Sequence, residues 1–111
     1  MSENVNVEDM AVVESEILDE DDVIKLIKPM GDKTELIFNF DKINGRVLID
    51  CLKKAQREDS NILVPALSMV YQAMVAARAL DMRYDDVIGL SGADFTAVTQ
   101  RVSRFLNRVD R

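Results

Sequence analysis

Two short runs near the start of the chain have the pattern of β-strands. Residues 23–28 are mostly aliphatic, and residues 34–40 alternate between apolar and polar. The segment between them contains Pro and Gly, which suit a turn because Pro presets φ and Gly tolerates positive φ. The pattern therefore predicts a β-hairpin over residues 22–40. A lone hairpin is marginal in water, so its apolar face must cover helices or pair with another chain. The residues on that face are Leu36, Phe38 and Phe40.

The next segment, residues 44–57, fits two patterns. Asn44-Gly45 between apolar runs is a hairpin signal, but Asn44 is also a good helix N-cap. We favour a helix, because the apolar residues share one stripe and basic residues gather near the end of the segment. That stripe consists of Val47, Leu48, Cys51, Leu52 and Ala55.

A longer helix is predicted over residues 62–81, with Pro65 in its first turn, where a missing N–H costs little. Most of its circumference is apolar or small, so we expect other helices to surround it. Its main stripe is Leu63, Ala66, Val70, Ala73, Ala77 and Leu80, widened by Met69, Met74 and Val75.

Two more helices are predicted towards the C-terminus. Residues 83–90 form a short one that ends at Gly89, and its inward residues are Tyr84, Val87 and Ile88. Ser91 caps the last helix, with Asp94 three residues on as in a capping box. An arginine row on this helix is interpreted as a solvated face. The apolar stripe is Phe95, Val98, Val102, Phe105 and Val109, and the arginines are Arg101, Arg104, Arg108 and Arg111.

Charge divides the chain in two. Residues 1–22 hold nine acidic residues and no Lys or Arg, whereas the remainder has a net charge of +3. The acidic segment has too few apolar residues to offset the entropy of ordering, which predicts a disordered arm over residues 1–21. The arm is interpreted as a solubilising tail, with folding on a partner or onto the basic body left open. Residues 22–111 then form a single small domain of the α+β class, mainly α, in which three to four helices follow the hairpin.

The composition argues against catalysis. The chain has no His, the commonest general base, and Cys51 lies on an apolar stripe with nothing to activate it. It also lacks a phosphate-binding glycine loop, a cysteine pair and calcium-loop spacing, so we predict no enzyme activity, no cofactor and no metal. A single cysteine, no secretory signal and no long apolar run predict a cytoplasmic protein without membrane association.

Binding of nucleic acid is an alternative. The two helices joined through Gly89-Leu90-Ser91 superficially resemble a helix-turn-helix whose second helix carries the arginine row. Against this, Asp85 and Asp86 lie near where phosphates would pass, and the acidic arm competes for basic surface. We therefore expect no specific binding of nucleic acid.

The order of these motifs resembles the small tail assembly chaperones of long-tailed bacteriophages and their prophages. The resemblance covers about residues 23–109 and leaves the acidic arm outside. The family often has Leu-Thr-Gly where this chain has Ile43-Asn44-Gly45, and since Thr and Asn are both N-caps, this supports a helix after residue 44. The matching motifs are Asp-Lys-Ile-Asn-Gly-Arg-x-Leu-Ile (41–49), Val-Pro (64–65), Tyr-Gln-Ala-Met-Val-Ala-Ala-Arg (71–78), Asp-Asp-Val-Ile-Gly-Leu (85–90), Asp-Phe-Thr-x-Val (94–98) and Val-x-x-Phe-Leu (102–106).

This resemblance implies a binding function. Such proteins coat the long helical tape measure protein, keep it soluble and help tail tube subunits to assemble around it, in the host cytoplasm and outside the mature virion. The family has no catalytic residues to carry over, and the oligomeric state, including a homo-oligomer, stays open. From the apolar central helix we predict that Val70, Tyr71 and Met74 contact the partner. The alternatives are a small DNA-binding regulator acting through residues 83–108, and an acidic adaptor or secretion-type chaperone.

Overall fold

An antiparallel hairpin opens the fold in the computed structural model of the protein, which describes residues 20–108. Strand β1 spans Val23–Met30 and strand β2 spans Lys33–Ile37. The turn lies at residues 31–32, where Gly31 has a φ of +57°, a conformation that glycine adopts without strain. The predicted hairpin is therefore confirmed, although Pro29 and Met30 belong to β1 and not to the turn.

The prediction that the second strand runs to residue 40 is wrong, because β2 ends at Ile37. The Phe38 N–H still bonds back to the chain before β1, but the Asn39 N–H donates to the Ala79 carbonyl at 2.9 Å. A 3₁₀ turn follows at Phe40–Lys42. A helix carbonyl thus takes the place of a strand partner, and this draws the chain out of the sheet.

The predicted apolar face of the hairpin does belong to the core. Leu36 and Phe38 are almost fully buried, and Phe40 is half-buried. The Phe38 and Phe40 rings stack with their centroids 4.9 Å apart. The hairpin is therefore stabilised by packing on the helices, as the marginal stability of a lone hairpin requires.

Four helices follow the hairpin within residues 20–108, which confirms the predicted α+β, mainly helical class. Asn44 caps the first of them by accepting a hydrogen bond from the Val47 N–H at 3.0 Å, so residues 45–58 form a helix and not a second hairpin. None of these helices is both long and apolar enough to cross a membrane. Their bounds are α1 Gly45–Glu58, α2 Met69–Leu80, α3 Tyr84–Ile88 and α4 Gly92–Leu106.

The central helix is shorter than the sequence predicts. It begins at Met69 and not at residue 62, because Ser68 has an extended backbone and its Oγ accepts the Tyr71 N–H as an N-cap. The preceding residues form a separate 3₁₀ turn, Pro65–Leu67, with Pro at its start. The helix ends at Leu80, and its C-cap residue Asp81 adopts the left-handed conformation common at helix C-termini.

Helix α2 lies in the middle of the core, as expected from its apolar circumference. It packs against α1, α3 and α4, and eight of its twelve residues are buried. Small side chains such as Ala73 and Ala76 are completely buried and let the neighbouring helices approach closely. The core is therefore built around a helix that has few outward positions.

The short helix α3 differs in one respect from its prediction. Val87 is fully buried and Tyr84 is half-buried, but Ile88 is exposed. A helix of five residues offers few inward positions, and Leu90, just after its end, fills the next buried place. The prediction that Ile88 points inward is therefore wrong.

The start of the described chain forms part of the folded body. Glu20 and Asp21, which the sequence analysis assigns to the arm, form a 3₁₀ turn with Asp22. The remainder of the predicted disordered arm, residues 1–19, lies outside the described residues, and so do residues 109–111 of the predicted domain.

Candidate functional site

Four large apolar side chains are exposed in the connection between α1 and α2 and at the first residue of α2. Leu63 is 92% exposed and Leu67 is 71% exposed, and about half of the surface of Val64 and of Met69 is open to solvent. Single exposed apolar residues are common on proteins, but a contiguous group of them indicates a binding surface. We call these four residues the apolar loop surface.

Backbone hydrogen bonds give this connection a defined shape. The Asn61 N–H donates to the Asp59 carboxylate at 3.0 Å, which forms a turn just after α1. Further along, the Leu67 N–H donates to the Val64 carbonyl at 3.0 Å, and the Ser68 N–H donates to the Pro65 carbonyl at 2.9 Å. The outward positions of Leu63 and Leu67 are therefore set by an ordered backbone.

A buried side chain fastens the connection to the core. Gln72 lies on α2 and is almost fully buried, and its Nε2 donates to the Ala66 carbonyl at 2.6 Å. This bond satisfies one donor of the buried Gln72 amide and holds the 3₁₀ turn against the helix. A surface that is held in shape before binding loses less conformational entropy when a partner arrives.

A shallow groove of about 370 Å³ runs along the apolar loop surface. Polar groups of Asp59, Asn61 and Ser68 line it together with apolar side chains from residues 62–70. Apolar contacts with polar groups at their edge are the usual composition of a protein-binding patch. The groove therefore suits an apolar segment of another protein.

The predicted partner-binding residues occupy different environments. Val70 is half-buried and lines the same groove as Leu67 and Met69. Met74 is also half-buried and packs against the core, whereas Tyr71 is itself a buried core residue. Burial raises the pKa of the Tyr71 phenol above its ordinary value. Of the three, only Val70 lies beside the apolar loop surface, and a role of Val70, Tyr71 and Met74 in partner binding stays a prediction.

Sequence reasoning missed Leu63 and Leu67 for a specific reason. A helix assumed to begin at residue 62 places Leu63 on the inward stripe, but the regular helix begins only after Ser68. The available signal was Ser68 itself, a preferred N-cap residue directly before an apolar run. Reading the start of the helix at Ser68 would have left residues 62–67 as an exposed apolar connection.

The single thiol is not arranged for chemistry. Cys51 is buried, and desolvation raises its pKa above the ordinary value. A thiol with a raised pKa stays protonated at neutral pH and is a poor nucleophile. Among residues 20–108, no group of three or more His, Cys, Asp and Glu side chains is placed to hold a metal ion.

One arginine of the predicted solvated row has a structural role. The Arg101 guanidinium donates to the Asp22 carboxylate at 2.6 Å and lies over the Phe40 ring, 4.6 Å from its centroid. Its side chain is only 13% exposed, whereas Arg104 is exposed. The interpretation of the whole row as a solvated face is therefore wrong for Arg101, because this side chain joins the start of β1 to α4.

Comparisons of the chain with models of known protein families, with characterised proteins and with solved structures find no match. The resemblance to tail assembly chaperones therefore remains a hypothesis based on the sequence motifs. The surface geometry of residues 20–108 is the second basis for inferring a function.

Proposed function

We propose that this protein is a tail assembly chaperone of a long-tailed bacteriophage or prophage. In this role it binds and solubilises the tape measure protein and aids assembly of the tail tube, in the host cytoplasm and without entering the mature virion. The observation that carries the proposal is the apolar loop surface, which combines exposed apolar side chains with an ordered backbone.

The chemistry of this surface suits a helical client. Leu63, Leu67 and Met69 offer aliphatic and thioether groups, and Met in particular adapts to varied apolar partners. An amphipathic helix buries its apolar stripe when it lies along such a surface. A long helical protein presents many such stripes, so that several chaperone molecules can cover one client.

The size of the surface favours reversible binding. Full burial of one large aliphatic side chain is worth about 1.5–3 kcal/mol. Association itself costs about 4–15 kcal/mol, which is comparable with the gain from four such side chains, so these contacts alone cannot give tight binding. Weak individual contacts agree with a chaperone that tube subunits must later displace from its client.

The DNA-binding alternative gains no support from the geometry of the arginine row. Arg101 already pairs with Asp22, and Asp86 pairs with Arg83 at the start of α3. Asp85 is exposed on the same turn and would face phosphate groups with a like charge. We therefore advance protein binding alone.

Coexpression with the tape measure protein encoded in the same genome tests the proposal. We expect the client to stay soluble and to copurify with the wild-type chain, and to be lost with the variant L63S/L67S. The matched control is I27S, which removes an apolar side chain that is also exposed but lies on β1. All three forms must first show the same thermal unfolding midpoint.

Two results would overturn the proposal. The first is a client that is equally soluble without the chain and does not copurify with it. The second is equal loss of copurification in L63S/L67S and in I27S, which would show that general surface hydrophobicity, and not the apolar loop surface, retains the client.

A further inference from the structure

A second groove, lined mostly by apolar side chains, lies between α1 and the end of α4. It has a volume of about 450 Å³ and is lined by Leu48, Phe105, Leu106 and Arg108. The three apolar side chains are half-buried and pack against the core. Among residues 20–108, this groove shares no lining residue with the groove along the apolar loop surface.

The described chain begins close to this groove. Arg101 donates to the Asp21 carbonyl at 3.0 Å and lies over the Phe40 ring. The Phe40 ring in turn stacks on Phe105, with 4.4 Å between the ring centroids. Two side chains, Arg101 and Phe40, therefore connect Asp21 to the wall of the groove, and the chain that precedes Asp21 starts beside it.

The charge of residues 1–19 is opposite to that of the arginines near the end of α4. Residues 1–19 contain six acidic residues and no Lys or Arg. From residue 95 onwards, α4 contains no acidic residue. Arg101 is already paired with Asp22, but Arg104 is exposed, and Arg108 lines the groove just after the helix. An acidic segment is attracted to this end of the helix, and salt screens the attraction.

The chain before Asp21 also offers the apolar groups that the groove needs. Ile17 and Leu18 are adjacent aliphatic residues, and Leu18 precedes Asp21 by only three positions. An extended chain spans about 3.3–3.6 Å per residue, so Leu18 can lie up to about 10 Å from Asp21. The contacts that lead from Asp21 through Arg101 and Phe40 to Phe105 are 3.0, 4.6 and 4.4 Å long, so an extended chain covers most of this path.

We propose that residues 1–19 dock on this groove of their own chain, with Ile17 and Leu18 against Leu106 and Phe105 and the acidic residues facing the exposed Arg104. A tethered segment binds at a high effective concentration, which favours it over a separate molecule with the same chemistry. The acidic segment thereby covers the groove and leaves the apolar loop surface open.

Nuclear Overhauser effects in the full-length protein test the docking directly. We expect contacts between the Ile17 methyl group and the methyl groups of Leu106 or Leu48 in a methyl-labelled sample at about 0.1 M salt, and their weakening at about 1 M salt. The variant I17S/L18S should shift the Leu48 and Leu106 methyl signals. The matched control M10S/V12S removes two apolar residues farther from Asp21 and should leave those signals in place.

The same spectra identify other occupants of the groove. In a mixture of labelled and unlabelled chains, contacts seen only between molecules would assign the groove to a second copy and overturn the proposal. Contacts from Ile17 to Leu63 or Leu67, no contacts at all, or equal shifts in both variants would also overturn it. Contacts of Ile17 within one molecule, together with shifts of the Leu48 and Leu106 methyl signals in I17S/L18S but not in M10S/V12S, would establish the docking.

Discussion

The Asp94 carboxylate accepts the backbone N–H of Ile27 at 2.8 Å, although 67 positions separate the two residues. Its second oxygen accepts the Lys28 N–H at 3.0 Å and the Ser91 hydroxyl at 2.9 Å. Asp94 is only 1% exposed, and these donors, together with its place in the first turn of α4, compensate the charge.

This contact explains an irregularity in the hairpin. The pairing of β1 with β2 shifts register between Lys25 and Met30, and the two N–H groups that Asp94 binds lie in that interval. The capping-box prediction is therefore only half correct. Ser91 does cap α4 by accepting the Asp94 N–H at 3.3 Å, but the Asp94 carboxylate binds β1.

Replacing Asp94 by Asn should destabilise the protein at neutral pH, since Asn lacks the charge and offers one acceptor oxygen in place of two. Hydrogen bonds from Ile27 and Lys28 hold the pKa of the Asp94 carboxyl below its ordinary value. Its stabilising effect is therefore present above the ordinary Asp pKa of about 3.9 and is lost as the pH falls through the lowered folded-state value.

Urea unfolding at several pH values measures this effect. The midpoint of D94N should lie below that of the wild type at pH 7, and the difference should shrink in acid. The control D86N removes a carboxylate whose pKa is also lowered, by its hydrogen bond with the exposed Arg83 side chain. A D94N deficit that stays constant down to the acid limit would contradict the assignment.

Truncation of Phe38 to Ala should lower the free energy of unfolding by about 3–5 kcal/mol, because Phe38 is 2% exposed and stacks on Phe40. The neighbouring Ile37 is exposed, so I37A should change the free energy by only about 0.5 kcal/mol. Chemical denaturation of both variants gives these values. Similar losses of unfolding free energy in F38A and I37A would show that the Phe38 and Ile37 side chains do not differ in burial.

Local signals were enough to predict the hairpin and two helix starts. The structure has Gly31 in the turn with a positive φ, as expected. It also has Asn44 and Ser91 as N-caps, each accepting a backbone N–H three residues further on. Features that depend on distant residues were missed. The contact of Asp94 with β1 and the pairing of Arg101 with Asp22 join positions far apart in the chain, and no periodicity encodes them.

The candidate site was predicted less well than the fold. Exposure of Leu63 depends on where α2 begins. The first residue of a helix is set by the competition between helix propensity and capping, and here Ser68 is the cap. Val70 is half-buried and lines the groove beside that surface, whereas the burial of Tyr71 depends on neighbours that the sequence pattern does not specify.

Replacing Arg101 by Ala should cost about 1.5–3 kcal/mol of stability, the usual range for hydrogen bonds to charged groups. The Asp22 carboxylate would lose its partner, and the Phe40 ring would lose the guanidinium that lies over it. Arg104 is exposed one turn away, so R104A should be nearly neutral. Equal thermal unfolding midpoints in the two variants would show that the ion pair contributes little.

Specific binding of DNA is not expected, since Arg101 is engaged with Asp22 and Asp85 lies exposed on α3. A gel-shift assay near physiological salt should show no difference between DNA sequences. A sequence-dependent shift that R101A/R104A abolishes would favour a regulator over a chaperone. Nonspecific binding that disappears as salt rises would leave the prediction intact, because such binding depends on phosphate charge alone.

Gln72 provides the last test, because it fixes the shape of the apolar loop surface without belonging to it. Gln72→Met keeps an unbranched side chain of similar length and removes the donor to the Ala66 carbonyl. We expect a modest loss of stability, about 1 kcal/mol, and faster hydrogen exchange at the Leu67 and Ser68 amides. Exchange within α1 should remain as in the wild type.

The exposed Gln56 on α1 supplies the control, and Q56M should leave hydrogen exchange at the Leu67 and Ser68 amides unchanged. Client copurification should fall in Q72M, because a loop that is no longer held must be ordered at the moment of binding. Faster hydrogen exchange in Q72M with undiminished client copurification would show that the client binds equally well to a less ordered loop. Unchanged exchange at Leu67 and Ser68 would show that the backbone bonds of the 3₁₀ turn hold the apolar loop surface without the help of Gln72.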